Sequence, residues 1–270
     1  MGKGKPFLEI FASVLHEDYR FPVLEIFAFL YTLGPFVFGN VTSYFVPTYD
    51  ESIAYMTTSS LLGMPAFMFL FILVILVFKN VAYGLGNDLE KGIIQSYLSY
   101  PLKRWRILTS KLLSALGIPL ILFLSIQIAA FYIIAPDIIS TYLGTVLLTY
   151  AAYLSSILLA TGIMILVALV LRRGGLALVI GIVLYFALSI IPLYIRGVVA
   201  YAMNSPLLLQ ILSVVTPNFV LEQYYTTGTS VSIIWTPIFS EVLIVMGISY
   251  AIIAFLFFLG YYYFTRRLGI

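Results

Sequence analysis

The chain has no cysteine and a single histidine, His16, in 270 residues. Without cysteine there can be no disulfide, no thiolate metal site and no catalytic thiol. His16-Glu17 lacks the second histidine of a zinc-protease helix. No G-x-S-x-G elbow is present, and no base stands ready for a serine nucleophile. Gly84-x-Gly86 is not followed by the Gly-Lys-Ser/Thr of a phosphate loop and reads as a turn at a helix end. ATP would therefore have to be bound by another polypeptide. Charge is scarce too. Only 9% of residues are Asp, Glu, Lys or Arg, against about 25% in soluble domains. A net charge of +3, much of it in one loop, excludes a nucleic-acid binder.

What replaces charge is apolar surface, at 62% of residues. That is the composition of a polytopic membrane protein, since a soluble core could not hide so much. A bilayer core about 30 Å thick needs roughly 20 apolar residues per helix. Six stretches qualify: Pro22–Val46, Leu61–Lys79, Leu112–Ile134, Thr145–Leu171, Leu176–Ile195 and Ile238–Phe264. Gly34-Pro35, Gly63-x-Pro65 and Gly117-x-Pro119 put helix-bending pairs in or beside the first three. Ala152/Ser156/Ala160, Ala177/Gly181 and Gly247/Ala251 give small-residue faces for close packing. With the N-terminus inside, 13 of the 14 Lys and Arg residues fall on the inner side and only Arg196 falls outside. This positive-inside bias fixes an even number of spans. Phe7–Leu15 is too short to span. With Phe7, Leu8, Phe11, Val14 and Leu15 at helical spacing, it reads as a helix lying in the inner interface. Lys3 and Lys5 before an apolar run suggest a signal peptide, but Glu9 interrupts that run and no small-residue cleavage site follows.

The informative stretch is the polar island Asn87–Lys111. It holds five of the Lys and Arg residues together with Asp88 and Glu90. Ile93, Ile94, Tyr97 and Leu98 fall on one helical face and Gln95, Ser96 and Ser99 on another. Pro101 breaks the pattern, which resumes at Trp105 and Leu108. The spacing of Glu90, Gly92, Leu98, Pro101, Arg104 and Lys111 resembles the loop between the second and third spans of the type-2 ABC permease family. The order of spans extends that resemblance over most of the chain.

The resemblance implies an all-α, six-span permease forming a single domain over residues 1–270. An elbow helix occupies 1–21, a cytoplasmic coupling loop 80–111 and an outer connection 196–237. It implies that the loop docks on an ATP-binding subunit, with Glu90, Gly92, Ile94, Tyr97, Leu98, Pro101, Arg104 and Trp105 as the coupling residues. Charged replacements at Tyr97 and Leu98 are then expected to abolish that hold. It further implies two permease chains, identical or related, over two ATP-binding subunits that carry the ATP and Mg. This chain holds no cofactor of its own. Both termini are expected in the cytoplasm, and export is the expected direction.

Intramembrane polar groups default to function. Gln127, near the middle of the third span, and Glu241, near the outer end of the sixth, are candidates for a substrate path. An interhelical hydrogen bond and a structural partner are the competing readings. Glu25, near the inner end of the first span, is expected to pair at the interface. In the outer connection, Leu207–Val215 is too short to span and too apolar for water. With Pro206 before it, Pro217 after it and Phe219–Tyr225 following, it predicts a re-entrant hairpin capping the path; a helix flat on the outer leaflet is the alternative. Two rival functions remain open. An ion-coupled transporter calls for mid-depth acids and inverted repeats. An ABC-type complex driving assembly or maturation of another protein shares every feature above.

Overall fold

The computed structural model describes residues 6–20, 22–43, 50–62, 67–98, 103–198, 202–203, 205–226 and 234–267. The expectations for Phe21, Gly63, Pro65, Ser99 and Pro101 lie outside them. The chain begins with α1 (Pro6–Asp18), α2 (Val23–Ser43), α3 (Glu51–Leu62) and α4 (Phe67–Val81). The last of these continues through a π-helical turn, Ala82–Asn87, into α5 (Asp88–Glu90). The loop carries α6 (Ile93–Leu98). Next come α7 (Arg104–Leu112), a π-helical turn Leu113–Gly117, and α8 (Ile118–Ile134). Two long helices follow, α9 (Pro136–Leu171) and α10 (Gly174–Val198). Then come α11 (Pro206–Val215), α12 (Pro217–Tyr225) and α13 (Phe239–Tyr262), the last ending in a π-helical turn, Tyr263–Arg267.

Five continuous helices among the described residues are long and apolar enough to cross a membrane: Leu70–Glu90, Arg104–Ile134, Pro136–Leu171, Gly174–Arg196 and Phe239–Arg267. Four of them correspond to the last four expected stretches, and Leu70–Glu90 overlaps the second, Leu61–Lys79, over residues 70–79. The expected first stretch corresponds to α2, 21 residues long. Helix α9 sits at the centre and touches α3, α4, α8, α10, α12 and α13. Its 36 residues would run about 54 Å if straight, well beyond a bilayer core. Non-helical backbone at Tyr142 (φ −119°, ψ 32°) sets its first turns off from the rest.

Local sequence explains most departures from regular helix. Proline at 119 has no N–H to give the carbonyl four residues back, and the π-helical turn Leu113–Gly117 directly precedes it. Gly84 and Gly86 do not end a helix, as their spacing suggests. They lie in the π-helical turn Ala82–Asn87, against the start of α10. A Cβ on Gly86 would come within 2.7 Å of Gly174 Cα. The Ala152/Ala160 and Ala177/Gly181 faces are buried, whereas Gly247 meets nothing within 4 Å. Instead Gly162 admits Leu256 and Gly260 admits Ile165 where α9 crosses α13.

On α1, the residues that turn inward are Ile10 and Val14, with Leu8 left exposed. In the outer connection, α12 is largely buried. Phe219, Val220 and Leu221 join Tyr55, Ala152, Trp235 and Val245 in one apolar cluster. The Tyr225 ring stacks on Tyr55 with centroids 5.0 Å apart. Helix α11 buries Leu209 and Ser213 but exposes Leu207 and Ile211.

The glycine crossing gives a direct test. A Cβ on Gly174 would lie 2.7 Å from the Ala82 carbonyl oxygen and 2.8 Å from the Asn87 nitrogen. Both are backbone atoms and cannot step aside. Gly174→Ala should lower the unfolding free energy in detergent by about 1–3 kcal/mol through overpacking. Gly175→Ala, with nothing within 4 Å, should change it by less than about 0.5 kcal/mol. Thermal unfolding of the two variants side by side is the measurement.

Candidate coupling loop and its buried joint

The loop between α4 and α7 is built on charges taken out of water. Asp88 and Lys111 form an ion pair whose side chains are each 2% exposed. Asp88 lies in the last turn of the helix arriving from α4, at the start of α5, and Lys111 lies in the last turn of α7, which leads to α8. The Lys111 ammonium also sits 4.8 Å from the centroid of the Tyr97 ring, within cation–π reach. Ser13 of α1 lies beside Tyr97. The loop, both flanking helices and α1 therefore meet at one point.

Beside this pair lies a second polar cluster. The Ser114 hydroxyl donates to an Asp18 carboxylate oxygen at 2.5 Å. The Tyr19 hydroxyl donates to the Ser114 carbonyl at 2.6 Å, and the Asn80 amide donates to the Tyr19 hydroxyl at 2.9 Å. Lys79 donates to the Asp18 carbonyl at 3.1 Å. Burial pushes the Asp18 carboxyl up to about 6, against the opposing pull of Ser114, Lys111 and Lys79.

The loop residues divide into two sets. Gly92 turns the chain with φ +71°, a left-handed geometry natural to glycine. Ile94 is buried in this chain's own core, with Leu98 packed against it. Glu90 accepts from the Gly174 backbone N–H at 3.3 Å, tying the loop to the first turn of α10 with an acid placed where a helix dipole favours one. Gln95, Lys103, Arg104, Trp105 and Arg106 are exposed, and the Arg106 guanidinium lies 5.4 Å from the Trp105 ring centroid. The face made by Ile94, Tyr97 and Leu98 is thus engaged inside the chain, and the loop turns a basic, Trp-bearing surface outward. Pro101 lies outside the described residues.

A model of the ABC-2 family transporter proteins matches residues 50–267. The chain belongs to that family. A search of curated proteins returns no significant match. As an ABC-2 family transporter protein it is a multi-pass membrane component of an ABC transporter, and the polar island lies wholly within the matched region.

Two candidates for a path in this ABC-2 protein form hydrogen bonds within the chain. Gln127 donates to the Tyr31 carbonyl at 2.9 Å and accepts from the Tyr150 hydroxyl at 3.4 Å, bridging α2, α8 and α9. Glu241 accepts from the Ile238 backbone N–H at 3.1 Å and from Trp235 Nε1 at 3.3 Å, holding the start of α13. Neither lines the cavity of about 690 Å³ between α3, α9, α10 and α12. Glu25 stands exposed in the first turn of α2.

Sequence reasoning missed the Asp88–Lys111 pair and the Asp18 cluster. A signal was present. Asp18, Lys79, Asn80, Asp88, Lys111 and Ser114 all fall at the inner edges of apolar runs, where only mutual pairing permits burial.

Asp18 gives a pH test with a defined sign. Its folded pKa is raised from 3.8 to about 6. The stability it contributes is therefore present below about pH 4 and is lost as the pH rises through about 6. Glu17, Lys79, Lys111 and Tyr19 are the charged or titratable groups that bear on it. Asp18→Asn keeps an acceptor for Ser114 and carries no charge. Above pH 6 it should be more stable than the wild type by about 1–3 kcal/mol, with the gap closing toward pH 4. Unfolding midpoints of both proteins across that range are the measurement.

Proposed function

We propose that this chain is the permease subunit of an ATP-driven exporter. Six helices cross the membrane, α2 and the five longer ones, with both termini in the cytoplasm. Two such chains pair over two ATP-binding subunits, which carry the ATP and Mg. Closure of those subunits on nucleotide pushes on α6 and α7, and the joint passes the push into α4, α8 and α10. One observation carries this reading: a loop braced from within by a buried ion pair and faced outward by Lys103, Trp105 and Arg106. A loop serving topology alone would need basic charge but no buried brace. Helix α12, wedged against α3, α9 and α13, acts as a cap over the outer end of the path.

The docking test uses the outward residues, because charging Tyr97 or Leu98 would disturb the chain's own packing. Lys103→Glu, Trp105→Ala and Arg106→Glu combined should leave the protein inserted with an unchanged unfolding midpoint. Co-purification of the ATP-binding subunit from native membranes should fall by about tenfold or more, the loss of about 1.4 kcal/mol or more of binding. Full recovery of an active ATPase with the triple variant would place the docking surface elsewhere.

A further inference from the structure

The cavity between α3, α9, α10 and α12 has a graded chemistry that specifies what it holds. Depth can be measured along α10, which starts at Gly174 beside the coupling loop. At 1.5 Å per residue, Tyr185 lies about 16 Å from that end and Arg196 about 33 Å. Both line the cavity, so it runs from mid-bundle to the far surface. Its deep wall includes Leu70, Tyr185 and Phe186, and its far wall includes Asn218, Glu222 and Thr226. The apolar end thus lies at membrane depth and the polar end at the surface, which is how an amphiphile orients in a leaflet. A volume of about 690 Å³ falls within the roughly 300–1,000 Å³ of small-ligand pockets.

The polar atoms narrow the head group. Nine of the nineteen lining residues carry a hydroxyl, but many of those donors are already used. Ser59, Ser60, Ser156, Thr216 and Thr226 each donate to a backbone carbonyl of their own helix. What those five still offer is acceptor lone pairs. An anion wants donors, and the one cationic side chain in the lining, Arg196, is held by Glu222 at 2.8 Å and lies 4.9 Å from the Phe219 ring centroid. A cation would meet the Arg196 charge at the mouth. An uncharged head rich in hydroxyl donors matches the walls and leaves the ion pair intact.

We propose that this cavity is a binding site for a single-chain amphiphile with an uncharged, hydroxylated head. The head lies among Asn218, Glu222 and Thr226, and the chain runs toward Leu70 and Phe186. The proposal concerns binding alone and holds whether or not the amphiphile is the transported molecule.

The absence of native cysteine makes the test clean. Met56 lines the cavity yet is 49% exposed, so Met56→Cys is open to a thiol reagent. Ser240→Cys, exposed and outside the lining, is the control. Both are placed in phosphatidylcholine nanodiscs and labelled with the thiol reagent in the presence of a monoacylglycerol, a lysophosphatidylglycerol or an alkylammonium of equal chain length. Monoacylglycerol at roughly ten times its dissociation constant should slow labelling at position 56 about tenfold and leave position 240 unchanged. Both charged amphiphiles should slow it far less. Adding Ser189→Trp to Met56→Cys fills the cavity and should abolish the lipid-dependent slowing. The proposal is overturned by no slowing with monoacylglycerol, by equal or greater slowing with a charged amphiphile, or by slowing that survives Ser189→Trp. None of these outcomes involves an ATP-binding subunit, so they leave the permease reading untouched.

Discussion

The interaction on which the inner half of this protein depends is the ion pair between Asp88 and Lys111. Removing two opposite charges from water costs several kcal/mol per ion, and the attraction between them repays this only in good geometry. Such a pair is a poor source of stability and a strict source of register, because neither partner can shift without leaving a bare buried charge. The apolar contacts of Ile94 and Leu98 would tolerate sliding; the ion pair does not. Tyr97, within cation–π reach of Lys111 and beside Ser13, brings α1 to the same point.

The two ends of the bundle are built oppositely. At the loop end, Gly86 and Gly174 bring backbones into direct contact, Glu90 fastens α10, and Asp18, Tyr19, Asn80 and Ser114 are joined by buried hydrogen bonds. At the far end the helices part around a cavity of about 690 Å³. Core substitutions are felt strongly where packing is dense, and the loop end, where α4, α7 and α10 meet, is such a place. The far end, less tightly filled, has room to respond. Helix α9, in contact with most of the others, is the axis between the two.

Much of this was legible in the residues. Apolar run lengths gave the long helices to within a few positions at most ends, because bilayer thickness and helical rise leave little freedom. The largest departure was the second stretch, expected over Leu61–Lys79 where the long apolar helix runs over Leu70–Glu90. Before it, α3 is rich in Ser and Thr and buries Tyr55 and Leu61. Residues 93–98 do turn Ile94 inward and Gln95 and Ser96 outward, but periodicity cannot say whether an apolar face meets a partner or its own chain. Ile94 answers that only once α4 and α8 are in place. Gln127 and Glu241 were marked as candidates for a substrate path, with a structural partner as the competing reading, and each forms hydrogen bonds within the chain. The partners, a carbonyl at Tyr31 and an indole at Trp235, lie 96 and 6 residues away, and the first could not be read from spacing. The cavity was invisible in sequence, since its lining comes from α3, α4, α9, α10 and α12.

The most direct measurement of the central claim, that one buried pair fixes the loop to the bundle, is amide hydrogen exchange across 93–98 in a double-mutant cycle. Lys111→Met and Asp88→Leu each leave a bare buried charge and should each cost about 3–5 kcal/mol, with loss of protection in that segment. The double variant replaces the pair by apolar side chains. It should recover much of the stability and the protection, giving a coupling energy well above the roughly 0.5 kcal/mol of independent sites. Additive losses in the double variant, or full protection of 93–98 in either single one, would contradict the claim.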